Sequence, residues 1–351
     1  MGRSSEPKGK LTMPPSEIYK LAKSGKADEV LSALDCVSDV DLARVFERAV
    51  TDFRSVPRKP GHQRILEACI DAALDLDARA GENRLSIVAL AASYGNAAIV
   101  AHMESRGALP ANPFSRAALG DHEFLRAMSA DLADLIDDNG YNLLCYCALS
   151  ALGRVDEHFA HRLIRTAELL IEVGADPGHT VETKQLRISP AFLCASHGGS
   201  VAVMRLLCAH DALDPCTIHQ SLEFALEPHQ RSGDPFDEIA ELILESGLDI
   251  NSLRPDQGRT LLHGAANRGS IKPVSWLLDH GADPNAIDDN GRTPLHVAAI
   301  RNTATRAIEI LLGRGADASR VDADGRTALD HARDNKRFKV VALLEGVVRY
   351  S

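Results

Sequence analysis

The chain has 351 residues, 45% of them hydrophobic and 4% aromatic, and carries a formal net charge of −10 at pH 7. That balance argues against a broad nucleic-acid footprint, which needs a basic face to release counterions, and no apolar run approaches the ~20 residues that span a bilayer. Seven cysteines, an odd number set mostly in apolar helical text, point to free thiols and a cytoplasmic location rather than a disulfide framework.

Residues 1–14 read as a disordered, solvated tail. They lack the apolar stretch of a secretory signal, and Glu6 stands where a lipidation site wants a small hydroxyl residue. PSEIYKLAKSGKADEVLSAL (15–34) then reads as a pair of short helices with no hairpin before it. Further pairs follow at 40–74, split by RSVPRKPGH, at 85–108, and in shortened form at 114–131. NGYNLLCYCALS (139–150) takes RTAELLIEVGADP (165–177) as its second helix. ISPAFLCASHGGSVAVMRLLCAHDA (188–212) has Ser189-Pro190 as cap and first turn, and 217–249 is a pair split by EPHQRSGDPF. The stretches 55–62, 153–160, 178–187 and 227–236 exceed what a helix pair needs and are expected as extra loops.

The text becomes regular at 256–345. GRTLLHGAAN (258–267), GRTPLHVAAI (291–300) and GRTALDHARD (325–334) lie 33 and 34 residues apart, counted from Gly258 to Gly291 to Gly325. Thr293 can cap a helix start, and Pro294 at the first helical position loses no hydrogen bond. Leu295, Ala298 and Ala299 share one face, and Ile308, Leu311 and Leu312 form a second apolar stripe. Gly315 suits a left-handed helix end, and ADASRVDADG makes a turn-rich link to the next unit. A helix pair of this size cannot bury its own apolar faces and must stack on a copy of itself.

This spacing, with Thr293-Pro294-Leu295-His296 and Gly281-Ala282-Asp283, resembles the ankyrin repeat. The resemblance implies an all-α solenoid of about nine to ten helix pairs joined by short β-hairpin-like loops. It would run as a single solenoid over 15–351, irregular over 15–249 and regular over 256–345. Asp330 departs from the pattern at the place of His263 and His296, as do Cys145 and Phe192 in earlier units.

The resemblance assigns His263 and His296 to hydrogen bonds that tie a cap to the adjacent layer. Cys194, Cys208, Cys216 and His219 contain no tight cysteine pair of the kind zinc favours. The chain has no Gly-Lys-Ser/Thr phosphate loop, no His-Glu-x-x-His and no Gly-x-Ser-x-Gly. No catalytic residue, metal or cofactor is therefore expected. The acid pairs Asp137-Asp138 and Asp288-Asp289 read as turn formers. Asn251 and Asn285 stand where some family members are hydroxylated, and a turn-stabilising role is expected for both.

In this family the hairpin tips and first helices line a concave face that binds another protein. Register places Tyr94, Asp138, Asn139, Tyr141, Leu149 and His197 there in the irregular part. In the regular part it places Asp256, Gln257, Arg259, Asn267 and Arg268, then Asp289, Asn290, Arg292, Ile300 and Arg301, then Asp324, Arg326, Arg333 and Asp334. Tyrosine and arginine are the usual energetic anchors of interfaces. A partner's apolar contact is thus expected mid-groove and its acidic groups at Arg268, Arg301 and Arg333. The expected protein is a monomeric, non-catalytic binding module with no nucleic-acid or membrane partner. The alternatives are a dedicated inhibitor of antitoxin or immunity type, whose acidic charge suits a basic toxin, a secreted effector acting through protein binding, or an enzyme in the irregular half, where no site is visible.

Overall fold

The computed structural model describes residues 13–34, 39–50, 60–72, 74–80, 85–128, 131–182, 187–190, 193–194, 200–210, 221–222, 236–245, 247, 249–253, 258–301 and 305–348. The chain divides into two compact units, Met1–Ala212 with Gln230–Pro235, and Leu213–His229 with Phe236–Ser351.

The first unit opens with α1 (Pro15–Ser24), α2 (Ala27–Leu34), α3 (Asp39–Val50) and α4 (Pro60–Asp71). First helices pack on first helices and second on second: α1 on α3, α2 on α4. A hairpin of β1 (Arg79–Ala80) and β2 (Leu85–Ser86), with Arg79 opposite Ser86, delivers Ser86 as the cap of α5 (Ile87–Ser93). The Ser86 hydroxyl accepts the Ala89 amide at 3.1 Å. Every residue of α5 is buried, because layers cover it on both sides; its alanines let them approach closely. The layers continue with α6 (Ala97–Ser105), α7 (Pro113–Ala118), α8 (His122–Ala127) and α9 (Leu143–Leu149), the last capped by Asn142.

Two of the stretches expected as extra loops carry secondary structure in their described residues. Residues 153–160 contribute to α10 (Leu152–Val155) and to α11 (Glu157–Glu172), so the second helix of that unit begins at Glu157 rather than near Arg165. Asp156 caps it by accepting the His158 amide at 2.8 Å. Phe159, Leu163, Ala167 and Leu170 give it a buried stripe at helical spacing. Within 178–187, β3 (Val181–Glu182) pairs antiparallel with β4 (Arg187–Ile188). Positions 55–59 and 227–235 lie outside the described residues, as does Phe192. The unit's last described helix is α12 (Val201–Ala209).

The second unit contains α13 (Phe236–Glu245), α14 (Leu261–Arg268), α15 (Ile271–Asp279), α16 (Pro294–Arg301), α17 (Thr305–Gly313), α18 (Ala328–Asp334) and α19 (Phe338–Val348). Helices α14, α16 and α18 stack in one row, and α15, α17 and α19 in the other. Leu262, Ala266, Leu295, Ala299, Leu277 and Leu311 are buried between layers, each large aliphatic worth roughly 1.5–3 kcal/mol of transfer free energy. Leu312 is half-buried, outside this core. The repeated glycine has a double cause at Gly291. Its φ is +70°, and a Cβ there would sit 2.9 Å from the Ala323 amide nitrogen of the next hairpin.

Candidate functional site

The corner where each hairpin enters a first helix of the second unit is held by a repeated set of hydrogen bonds. Thr260 accepts the His263 amide at its hydroxyl, at 3.4 Å, and donates that hydroxyl to His263 Nδ1 at 2.8 Å. The Thr260 amide also donates to Nδ1, at 3.2 Å. Because Nδ1 is an acceptor, the ring proton sits on Nε2, which donates to the Arg292 carbonyl of the next layer at 2.8 Å. Thr293 and His296 repeat the arrangement, reaching the Arg326 carbonyl at 3.1 Å. In the last layer Asp330 accepts from the Thr327 amide and hydroxyl at 3.0 and 2.6 Å. A carboxylate completes this local cap without reaching onward, and those bonds hold its pKa below the usual carboxylate range. The two histidines therefore perform the layer-tying role that the resemblance implied.

Burial, above all, pushes the pKa of both His263 and His296 down from 6.5. Protonating Nδ1 would also set an N–H against the threonine N–H. The unfolded chain then binds protons that the folded chain refuses, so this contribution to stability is complete above pH 6.5 and is lost as the pH falls through that value toward the lower folded pKa. Chemical denaturation of the full chain is expected to give a midpoint that drops from about pH 7.5 to about pH 5.5. Replacing both histidines by glutamine should lower the plateau and flatten that decline; an unchanged slope would contradict the neutral-ring geometry.

The hairpins are pinned by an aspartate five residues before each cap. Asp288 Oδ1 accepts from the Asn290 and Arg292 amides, at 2.9 and 3.0 Å. Asp322 does the same with Asp324 and Arg326, and Asp137 with Asn139 and Tyr141. The acid pairs are turn formers, as expected. Sequence reasoning missed a second partner one turn into the first helix. Tyr146 donates its hydroxyl to Asp137 at 2.7 Å, and His331 Nε2 donates to Asp322 at 2.6 Å. Burial alone would raise the Asp322 pKa. The His331 bond and the two amides outweigh it and bring the carboxyl down to about 2. Asn251 and Asn285 act as rungs between layers: each donates to a glycine carbonyl (Gly281, Gly315) and accepts the amide of Asp283 or Asp317.

The residues expected on the partner face divide by environment. Asp138, Arg268, Asp289, Asn290, Arg301, Arg326 and Arg333 are exposed. Tyr94, Asn139, Tyr141, Arg259, Asn267 and Arg292 are half-buried, and Gln257 and His197 lie outside the described residues. Arg259 and Arg292 are structural ties, lying 3.4 Å from Asp288 and 3.7 Å from Asp322. Arg326 pairs with Asp334, and Arg333 with Glu345. Leu149 corrects the expectation: it is 1% exposed. The segment after α9 turns toward the preceding layer, where the Ala151 amide bonds the Ala92 carbonyl.

Cys145, Cys147 and Cys194 are free, buried thiols, and burial pushes the Cys145 pKa up to about 12. Among the described residues no group of histidines, cysteines or acids could hold a metal ion, and no helix is long and apolar enough to cross a membrane. Cys216 and His219 fall outside the described residues.

Residues 229–322 and 262–347 match the family model for ankyrin repeats, which describes three copies. The chain is 28% identical over 275 residues to ankyrin repeat protein nuc-2 of Neurospora crassa, covering 73% of this chain and 23% of that protein. It is 47% identical over 49 residues to a fowlpox virus protein named as an ankyrin repeat protein, covering 14% of this chain and 7% of the viral one. It is also 40% identical over 58 residues to an Arabidopsis thaliana protein named as an E3 ubiquitin-protein ligase, covering 16% and 15%. The chain thus spans less than a quarter of the length of these curated relatives.

Proposed function

From its ankyrin repeats we infer that this chain is a protein-binding module that performs no chemistry of its own. Ankyrin repeats are interaction modules, and a stack of near-copies offers a long, regular surface. In our reading a series of nine to ten helix pairs presents a concave face of hairpin tips and first helices. The protein acts as a monomer in the cytoplasm, without nucleic acid or membrane.

One observation carries the reading. In α16 the run Pro294–Ala299 is buried while Arg301, at the register position assigned to the partner face, is exposed; α14 repeats this with Leu262 and Ala266 inside and Arg268 outside. The repeat spends its apolar residues on stacking and leaves the same place in successive layers to solvent. Tyr94 and Tyr141 supply the aromatic contact, and Arg268, Arg301 and Arg333 meet acidic groups of the partner.

The test is affinity capture from native lysate with the full chain, followed by alanine substitution of Tyr94, Tyr141, Arg268 and Arg301. Loss of about 1 kcal/mol or more of binding free energy is expected at several of these positions. Full affinity in all four variants would refute the assigned face.

A further inference from the structure

We propose that a cleft in the first unit receives a lysine or arginine side chain of the protein partner, so that the partner presents a basic segment. The proposal rests on the protein-binding reading above and specifies the partner's chemistry. The cleft has a volume of about 140 Å³ and is lined by Asp77, Phe114, Asp137, Asp138 and Tyr146. Pockets for small ligands and cofactors usually enclose ~300–1,000 Å³, so this one suits a single long side chain. The Phe114 and Tyr146 rings, 5.2 Å apart, give it an aromatic wall, with Tyr141 6.5 Å beyond Tyr146. Ile136, 53% exposed, also lines it and offers apolar surface for the stem.

The charge of this cleft exceeds what the repeat requires. Asp77 holds the rung position that Asn251 and Asn285 hold in the second unit. Its amide bonds Asp75 at 3.1 Å, as that of Asn285 bonds Asp283 at 2.8 Å. Its Oδ2 accepts the Ala111 and Asn112 amides of the next layer at 2.9 and 3.2 Å. An asparagine would do this and also donate; the aspartate forfeits the donor and adds a negative charge. The remaining bonds of Asp77 and Asp137 go to Ser115, Asn139, Tyr141 and Tyr146, all neutral. Among the described residues neither carboxylate has an arginine, lysine or histidine partner.

The second unit shows what is missing. Asp288 and Asp322 occupy the hairpin position of Asp137, and each has an arginine of the preceding layer beside it, Arg259 and Arg292. There the chain supplies its own cation. In the first unit the equivalent carboxylate faces the cleft, beside aromatic rings that attract an organic cation through their π faces. A metal ion fits poorly, because the carboxylate oxygens are already bonded to N–H and O–H groups and the opposite wall is aromatic.

A phage-displayed random peptide library selected on the full chain tests the assignment. Enriched peptides are expected to share a lysine or arginine whose replacement by norleucine weakens binding roughly tenfold or more, with binding that declines as salt is raised. Asp77→Asn restores the amide that Asn251 and Asn285 provide, so it should keep the thermal midpoint while weakening the same peptides comparably. Phe114→Leu is the second variant and should weaken them as well. Enriched peptides without a recurrent basic residue, or with affinity that both variants leave unchanged, would overturn the cleft assignment. If such peptides lose affinity with Arg301→Ala instead, the broader protein-binding reading survives. Selection that enriches no peptide overturns the assignment too, while lysate capture judges the broader reading separately.

Discussion

Replacing Leu311 by alanine is expected to destabilise the second unit by about 2–5 kcal/mol, the range for emptying a packed core position. Leu311 is fully buried in α17, which packs against α15 on one side and α19 on the other. A thin layer has no other core to fall back on, and the stability of a stack is a sum of layer terms and nearest-neighbour interfaces. The cavity should therefore weaken two interfaces at once. Urea denaturation followed by circular dichroism should show a lower midpoint. Hydrogen exchange should show lost protection across 305–348, not only around the substitution. Loss confined to one turn of α17 would mean that the layers do not support each other.

Gly120→Ala should strongly destabilise the first unit. Gly120 lies between α7 and α8 with φ +69°, a conformation that costs an alanine about 1–2 kcal/mol. The new Cβ would also sit 2.8 Å from the Leu163 amide nitrogen and 2.9 Å from the Arg162 carbonyl carbon of α11. Both are backbone atoms of a 16-residue helix, so neither can rotate away. Either α11 shifts or the turn opens, and the total loss should exceed the φ cost alone. A thermal midpoint unchanged from wild type would show that the close approach of this turn to α11 is not needed.

Much of the fold is legible without coordinates because its causes are local. The cap threonine, the first-turn proline and the left-handed Gly315 act within one turn of chain. The candidate site is less legible. Arg259 and Arg292 read as solvent-facing anchors from their place after the hairpin glycine, yet each is beside a buried aspartate about thirty residues later. Leu149 is open by repeat register, yet it is fully buried with the rest of α9. Asp77 belongs to none of the motifs that the sequence shows, and its equivalence to Asn285 emerges from the bonds that it makes to the next layer.

The sequence by itself determined that the chain is built of stacked helix pairs and which small residues lie between layers. Period, capping and composition are written in neighbouring residues, and those suffice for such features. Only the tertiary structure decided which polar side chains are spent inside the protein and which stay exposed to solvent. That division depends on atoms from different layers meeting at hydrogen-bond distance, and no periodicity within a single layer encodes it.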